Sequence, residues 1–150
     1  MKPIDPQISI RAARLEDATA LSELLAELGF PTPAAITAER LDAMARASEL
    51  VFVAVRDETV LGLVTVHITP VLHRSAPVGR LTALVVYQCA RRQGIGQALV
   101  EAAEAALASE GCELVEVTSN KQLTDAHAFY ERLGYDATSL RFQKSLTVRD

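Results

Sequence analysis

The stretch LVVYQCARRQGIGQALVEAAEAAL, residues 84–107, decides how this chain is read. It opens as a Val-rich strand, turns at Arg91, Gly94 and Gly96, and passes from the turn straight into a helix. In that helix Ile95, Ala98, Leu99, Ala102, Ala103, Ala106 and Leu107 recur at the three- and four-residue steps of one apolar face, and Gly111 ends it. A strand, glycine turn and helix in this order form an anion cradle. The first amides of a helix have no partner within it, and the helix dipole adds partial positive charge there. Glycines let the backbone approach a phosphate closely, and Arg91 and Arg92 add charge that a diphosphate pairs with. A P-loop requires Gly-Lys followed by Ser or Thr, which is absent, and a dinucleotide fingerprint requires a third glycine where Leu99 stands. What remains is R-x-x-G-x-G after a strand.

Working outward, residues 8–14 alternate Ile8, Ile10 and Ala12 with Ser9, Arg11 and Ala13, the period of a half-buried strand. Asp17 is placed to cap a helix carrying Leu21, Leu24, Leu25 and Leu28, which Gly29 and Pro31 stop. Thr37 is placed to cap a shorter helix with Leu41 and Met44, after a proline-containing connection. Residues 50–56 and 59–68, Val-rich and joined by Asp57-Glu58, read as a hairpin. Because both runs are apolar on both faces, helices are expected on each side of the sheet. Residues 78–87 and 113–119 read as strands flanking the helix at 95–110, a β-α-β crossover. A short helix follows from Asp125 to Leu133, and the tail from Tyr135 onward carries weaker strand patterns, including LRFQKSLTV. His127 is expected on the outer face of its helix.

The 150 residues suit one domain, residues 1–150, and a charge of −4 argues against a general nucleic-acid binder, which carries a basic stripe. Hydrophobic residues at 49% and charged ones at 23% place the chain among globular proteins. No apolar run approaches the roughly 20 residues needed to span a bilayer. The opening MKPIDPQISIRAAR has neither an apolar core nor a cleavage site of a signal peptide, so a cytoplasmic location and no membrane partner are expected. Cys89 and Cys112 form no CxxC pair, and reduced thiols are expected. His67, His73 and His127 share no metal-ligand spacing, so no metal is expected.

The motif R-x-x-G-x-G after a strand of Val-Val character resembles that of the GNAT family of acyl-CoA-dependent N-acetyltransferases. There it binds the acetyl-CoA pyrophosphate through backbone amides. Arg91, Gly94 and Gly96 match, with Arg92, Gln93, Ile95 and Gln97 supplying neighbouring amides. Residues 116–135, EVTSNKQLTDAHAFYERLGY, resemble the family's later segment, and the likeness runs from residue 8 to about 146. It implies an α/β (α+β) fold with a mixed, mostly antiparallel sheet of six to seven strands. Helices lie on both faces, and the strands at 78–87 and 113–119 form a parallel pair that splays apart. It implies that Asn120 bonds the pantetheine arm, that backbone groups of Leu84, Val85 and Val86 pair with it, and that the Val86 amide polarises the thioester carbonyl. Tyr130 is implied near the thioester sulfur, where a phenol gives the departing thiolate a proton, while Phe129 packs its helix.

The implied reaction is direct attack by a neutral primary amine on the acetyl group in a ternary complex. An amine with a pKa near roughly 10.4 must first lose a proton. Many relatives carry a Glu on the strand where this chain has Thr82, and Thr82 cannot be that base. His67 is the first replacement and His73 the second, since neutral imidazole suits the task. The same departure keeps open a non-catalytic acyl-CoA sensor as the alternative, against which Asn120 and Tyr130 weigh. Dimerisation is common in the family, and no residue here marks an interface, so a homodimer stays open. The acceptor amine is not written in the sequence.

Overall fold

The hairpin at the centre of the sheet is set by two residues. Asp57 and Glu58 both take positive φ, 50° and 64°, the backbone of a tight turn whose twist matches that of the strands it joins. In the computed structural model, which describes residues 4–47 and 49–147, this turn joins β2 (Glu49–Arg56) to β3 (Thr59–Thr69). β1 (Ile8–Ala12) pairs with β2, and β4 (Val78–Val86) with β3, all antiparallel. β5 (Leu114–Val117) adds in parallel to β4, giving the order β1-β2-β3-β4-β5. The parallel pair is the one expected from the crossover.

Three α-helices belong to this first unit, residues up to 117: α1 (Ala18–Leu28), α2 (Ala34–Ala45) and α3 (Ile95–Ser109). They cover opposite faces of the sheet. Leu21 and Leu24 of α1 pack with Val53, Leu63 and Val85, and Leu41 of α2 lies against the same cluster. On the other face, a Cβ at Gly62 would meet Leu99 of α3, and one at Gly79 would meet Leu107. Alternation along β3 thus divides the core, with Leu63 facing α1 and Gly62, Val64 and Val66 facing α3. Ile95, Leu99, Val100, Ala103 and Leu107 are buried along α3 as its spacing requires.

Two expected caps work differently. Asp17 stands at the start of α1, yet its carboxylate makes no cap there. It accepts both nitrogens of the Arg11 guanidinium, at 2.8 and 2.9 Å, and the Arg14 backbone N–H at 2.7 Å. The charged guanidinium outcompetes the helix amides for the same oxygens. Thr37 is not a cap either. α2 begins three residues earlier, after Pro33, and the Thr37 N–H and hydroxyl both donate to the Pro33 carbonyl from inside the helix. Proline sets the entry angle without an N–H to satisfy. Leu28, expected on the apolar face of α1, is exposed at the helix end.

The second unit, from residue 118, holds α4 (Thr124–Arg132). The expected six to seven strands are therefore five: among the described residues the tail from 135 to 147 has no strand. Its alternating positions Leu140, Phe142, Lys144 and Leu146 include a lysine in the apolar stripe, and all four side chains are exposed. A strand pattern without a continuous face to bury does not fix a strand. Val148, the last residue of LRFQKSLTV, lies outside the described residues.

Candidate active site

β4 changes character halfway along. Its ladder with β5 ends at Leu81↔Val117, so Thr82 to Val86 continue past the last paired residue of β5. On the other side Val66 pairs with Leu81 and Thr65 with Ala83, which leaves Thr82 as the extra residue of a β-bulge. The Tyr87 N–H donates to the Leu61 carbonyl at 2.8 Å, toward β3. Since backbone groups alternate sides along a strand, the amides of Leu84 and Val86 point the other way, to the edge that β5 has left. The Val86 carbonyl on that edge accepts from Arg91 Nε at 3.2 Å.

The turn that follows is held from three sides. Tyr87 donates to Glu23 of α1 at 2.6 Å, and burial together with that carboxylate raises the phenol's pKa well above its ordinary value. The Gln88 N–H donates to Glu27, one turn further along α1, at 3.1 Å. Arg56, at the end of β2, donates to Gln93 at 3.2 Å. Within the turn Arg92 and Gly94 take positive φ, 65° and 79°. Gly94 accepts that conformation without strain, whereas Arg92 adopts it at a cost the surroundings must over-determine. The first intrahelical bond of α3 runs from Ala98 N to Gly94 O at 3.1 Å. The amides of Ile95, Gly96 and Gln97 thus precede it, a cluster of donors beside the exposed Arg91 and Arg92. Cys89, also exposed, and the buried Cys112 are unpaired thiols.

His67 lies elsewhere on β4's neighbour. It pairs in register with Arg80, six residues before Val86, which is about 20 Å along a strand. Its Nδ1 is 2.6 Å from Glu49 Oε1 on β2, a cross-strand pairing that no local pattern announces. Thr65 and Thr82 join hydroxyls at 2.6 Å on the same face of the sheet. His73 lies apart, in a cavity of about 270 Å³ with Arg74, Val78 and Glu113 at the other end of β4. Among the described residues no three His, Cys, Asp or Glu side chains gather as a metal site.

In the second unit Asn120 makes its own turn. Its Oδ1 accepts from the Gln122 N–H at 2.9 Å, so the carboxamide nitrogen is the group that remains to donate outward. His127 is half-buried, with Nε2 2.8 Å from the Asn120 carbonyl. Tyr130 sits between Phe129 and Tyr135, ring centroids 5.2 and 5.6 Å away in edge-on contacts. Burial pushes its phenol pKa up, which keeps the proton on oxygen.

A mixed sheet, an opened strand edge and a glycine turn feeding a helix define a class of acyl-group transferases. Residues 18–135 match the Acetyltransferase (GNAT) family, and the chain belongs to it. It is 38% identical over 93 residues to the aminoalkylphosphonate N-acetyltransferase of Salmonella typhimurium, a match spanning 62% of this chain and 60% of that relative's length. It is similar to the crystal structure of a transcriptional regulator from Bacillus halodurans C-125, with a TM-score of 0.84 and 26% identity. An acetyltransferase from Trypanosoma brucei gives 0.82 and 26%. Each of these two matches covers 93% of this chain and 99% of the other. No helix among the described residues is long and apolar enough to cross a membrane.

Proposed function

We propose that residues 1–150 form one acetyl-CoA-dependent N-acetyltransferase domain, which moves an acetyl group to a primary amine by direct attack in a ternary complex. The observation that carries this reading is the outward-facing edge of β4 running into the amides at the start of α3. In it, Leu84, Val85 and Val86 hold the pantetheine arm. The Val86 amide draws charge from the thioester carbonyl. Arg91, Arg92, Gln93, Gly94, Ile95, Gly96 and Gln97 hold the pyrophosphate, and Asn120 donates its carboxamide to the arm. Tyr130 gives a proton to the departing thiolate, and its raised pKa suits that task because the phenol stays protonated at neutral pH. His67, with Glu49 Oε1 2.6 Å from its Nδ1, takes the proton of the amine through intervening hydroxyls or water. The relative from Salmonella supports an aminoalkylphosphonate as the acceptor. The protein acts in the cytoplasm, without nucleic acid, membrane or metal, as a monomer or homodimer.

Calorimetric titration with acetyl-CoA, with ATP and NAD as controls, tests the cradle. Saturable binding of acetyl-CoA alone is expected, and Gly96→Asp, which sets a carboxylate among the phosphate-binding amides, should weaken it at least a hundredfold. Absence of binding, or equal affinity in the variant, overturns the assignment.

A further inference from the structure

Thr82 occupies an unusual place. It is the extra residue of the β4 bulge, it follows directly on the last residue that β5 pairs with, and its side chain is exposed on the sheet face shared by Thr65 and His67. The two threonine hydroxyls stand 2.6 Å apart, and either oxygen can be the donor. A hydroxyl both donates and accepts, so such a pair passes a proton in either direction. Along the strands the pair lies between the Leu84–Val86 edge and the register position of His67. Thr65 and His67 are two residues apart on β3, hence on one face and roughly 6.6 Å apart along the strand. Glu49 Oε1 stands 2.6 Å from Nδ1 of that imidazole but off the line of a hydrogen bond, and Nε2 is the ring's other nitrogen.

We propose that the Thr65–Thr82 hydroxyl pair is the proton path from the acceptor amine to the His67–Glu49 pair. This rests on the acetyltransferase reading above. The ammonium N–H bond breaks and its proton passes to Thr82 Oγ1, whose own proton moves to Thr65 Oγ1. The Thr65 proton moves through water to His67 Nε2. The freed lone pair forms the N–C bond with the acetyl carbon. The C–S bond breaks with its electrons on sulfur, which takes the Tyr130 proton. The nitrogen's second proton, made acidic by the new N–C bond, is lost to solvent, which also takes the proton from His67 and returns one to Tyr130, so the amide is neutral and both hydroxyls end as they began. The bulge is what allows this: an extra residue re-aims a side chain, here bringing the Thr82 hydroxyl onto that of Thr65.

The test compares Thr82→Val, Thr65→Val, the double variant and Thr82→Ser, with 2-aminoethylphosphonate as the acceptor probe. Valine keeps the branched shape suited to a strand, and calorimetry with acetyl-CoA checks that each variant is folded and binds. Each Val variant should lower kcat about a hundredfold, with the KM for acetyl-CoA within about twofold and the solvent isotope effect on kcat altered. The double variant should be no worse than either single one, because one path is broken once. Thr82→Ser should restore most of the rate. A Val variant with wild-type kcat, or a Ser variant as slow as Val, overturns the relay while the acetyltransferase reading stands. A wild type that binds acetyl-CoA but transfers nothing to the probe overturns the acceptor assignment and this route with it.

Discussion

Tyr130 shows how one side chain combines packing with chemistry. Its ring lies edge-on to both Phe129 and Tyr135, contacts that phenylalanine reproduces. The hydroxyl is the part that packing does not explain, and burial holds it protonated. Tyr130→Phe should therefore leave acetyl-CoA affinity within about twofold and lower kcat about a hundredfold. Stopped-flow measurement of CoA release checks this, and an unchanged kcat returns Tyr130 to the apolar packing of its helix. At this scale the sequence was legible where a residue type is tied to a local backbone need. Gly94 at φ 79° and Gly111 at φ 91° stand where turn and helix end demanded them. It was silent where a role depends on a distant partner. Glu49 reaches His67, and Thr65 reaches Thr82, only because antiparallel pairing brings them opposite or diagonal to each other. Asp17 and Thr37 misled over shorter distances, since each oxygen found a nearby partner that a capping pattern does not contain.

Between elements, the fit of α3 on the sheet controls the start of the helix, because one rigid rod carries both the core contacts and the amides at Ile95, Gly96 and Gln97. Gly79 of β4 leaves no room for a side chain beneath the helix. A Cβ there would stand 2.6 Å from Leu107 Cδ1 and 2.8 Å from Cδ2, and Leu107 is itself fully buried. Gly79→Ala should cost about 1–3 kcal/mol, the usual penalty for adding a methyl group to a filled core. Urea unfolding followed by circular dichroism measures it, and a change below about 0.5 kcal/mol would mean that Leu107 has room to turn aside. The seven-position periodicity of α3 and the β-α-β crossover made this packing legible in outline. The strand count was not, because Lys144 interrupts the stripe of Leu140, Phe142 and Leu146 and leaves nothing continuous for a strand to bury.

For the molecule as a whole, the pairing of Arg11 with Asp17 ties β1, at one edge of the sheet, to the start of α1, so its loss should be felt in global unfolding. Asp17 is buried, accepts the guanidinium through both oxygens and takes the Arg14 N–H as well. The Arg11 hydrogen bonds hold its pKa below the ordinary carboxylate value, outweighing the opposing effect of burial. A carboxyl with a depressed folded-state pKa stabilises the protein above its unfolded pKa of about 3.9, and that stabilisation is lost as pH falls through the lower, folded value. Asp17→Asn removes the charge while keeping the shape, and should cost about 2–3 kcal/mol at pH 7, the worth of hydrogen bonds to a charged group. The gap between wild type and variant should then narrow steadily below about pH 4, as the wild-type carboxyl is itself protonated. Urea titrations at pH 7, 4 and 3 separate the possibilities. A gap that stays constant with pH would assign the effect to packing at the β1–α1 junction, whereas a closing gap locates it in the charge that Arg11 reads.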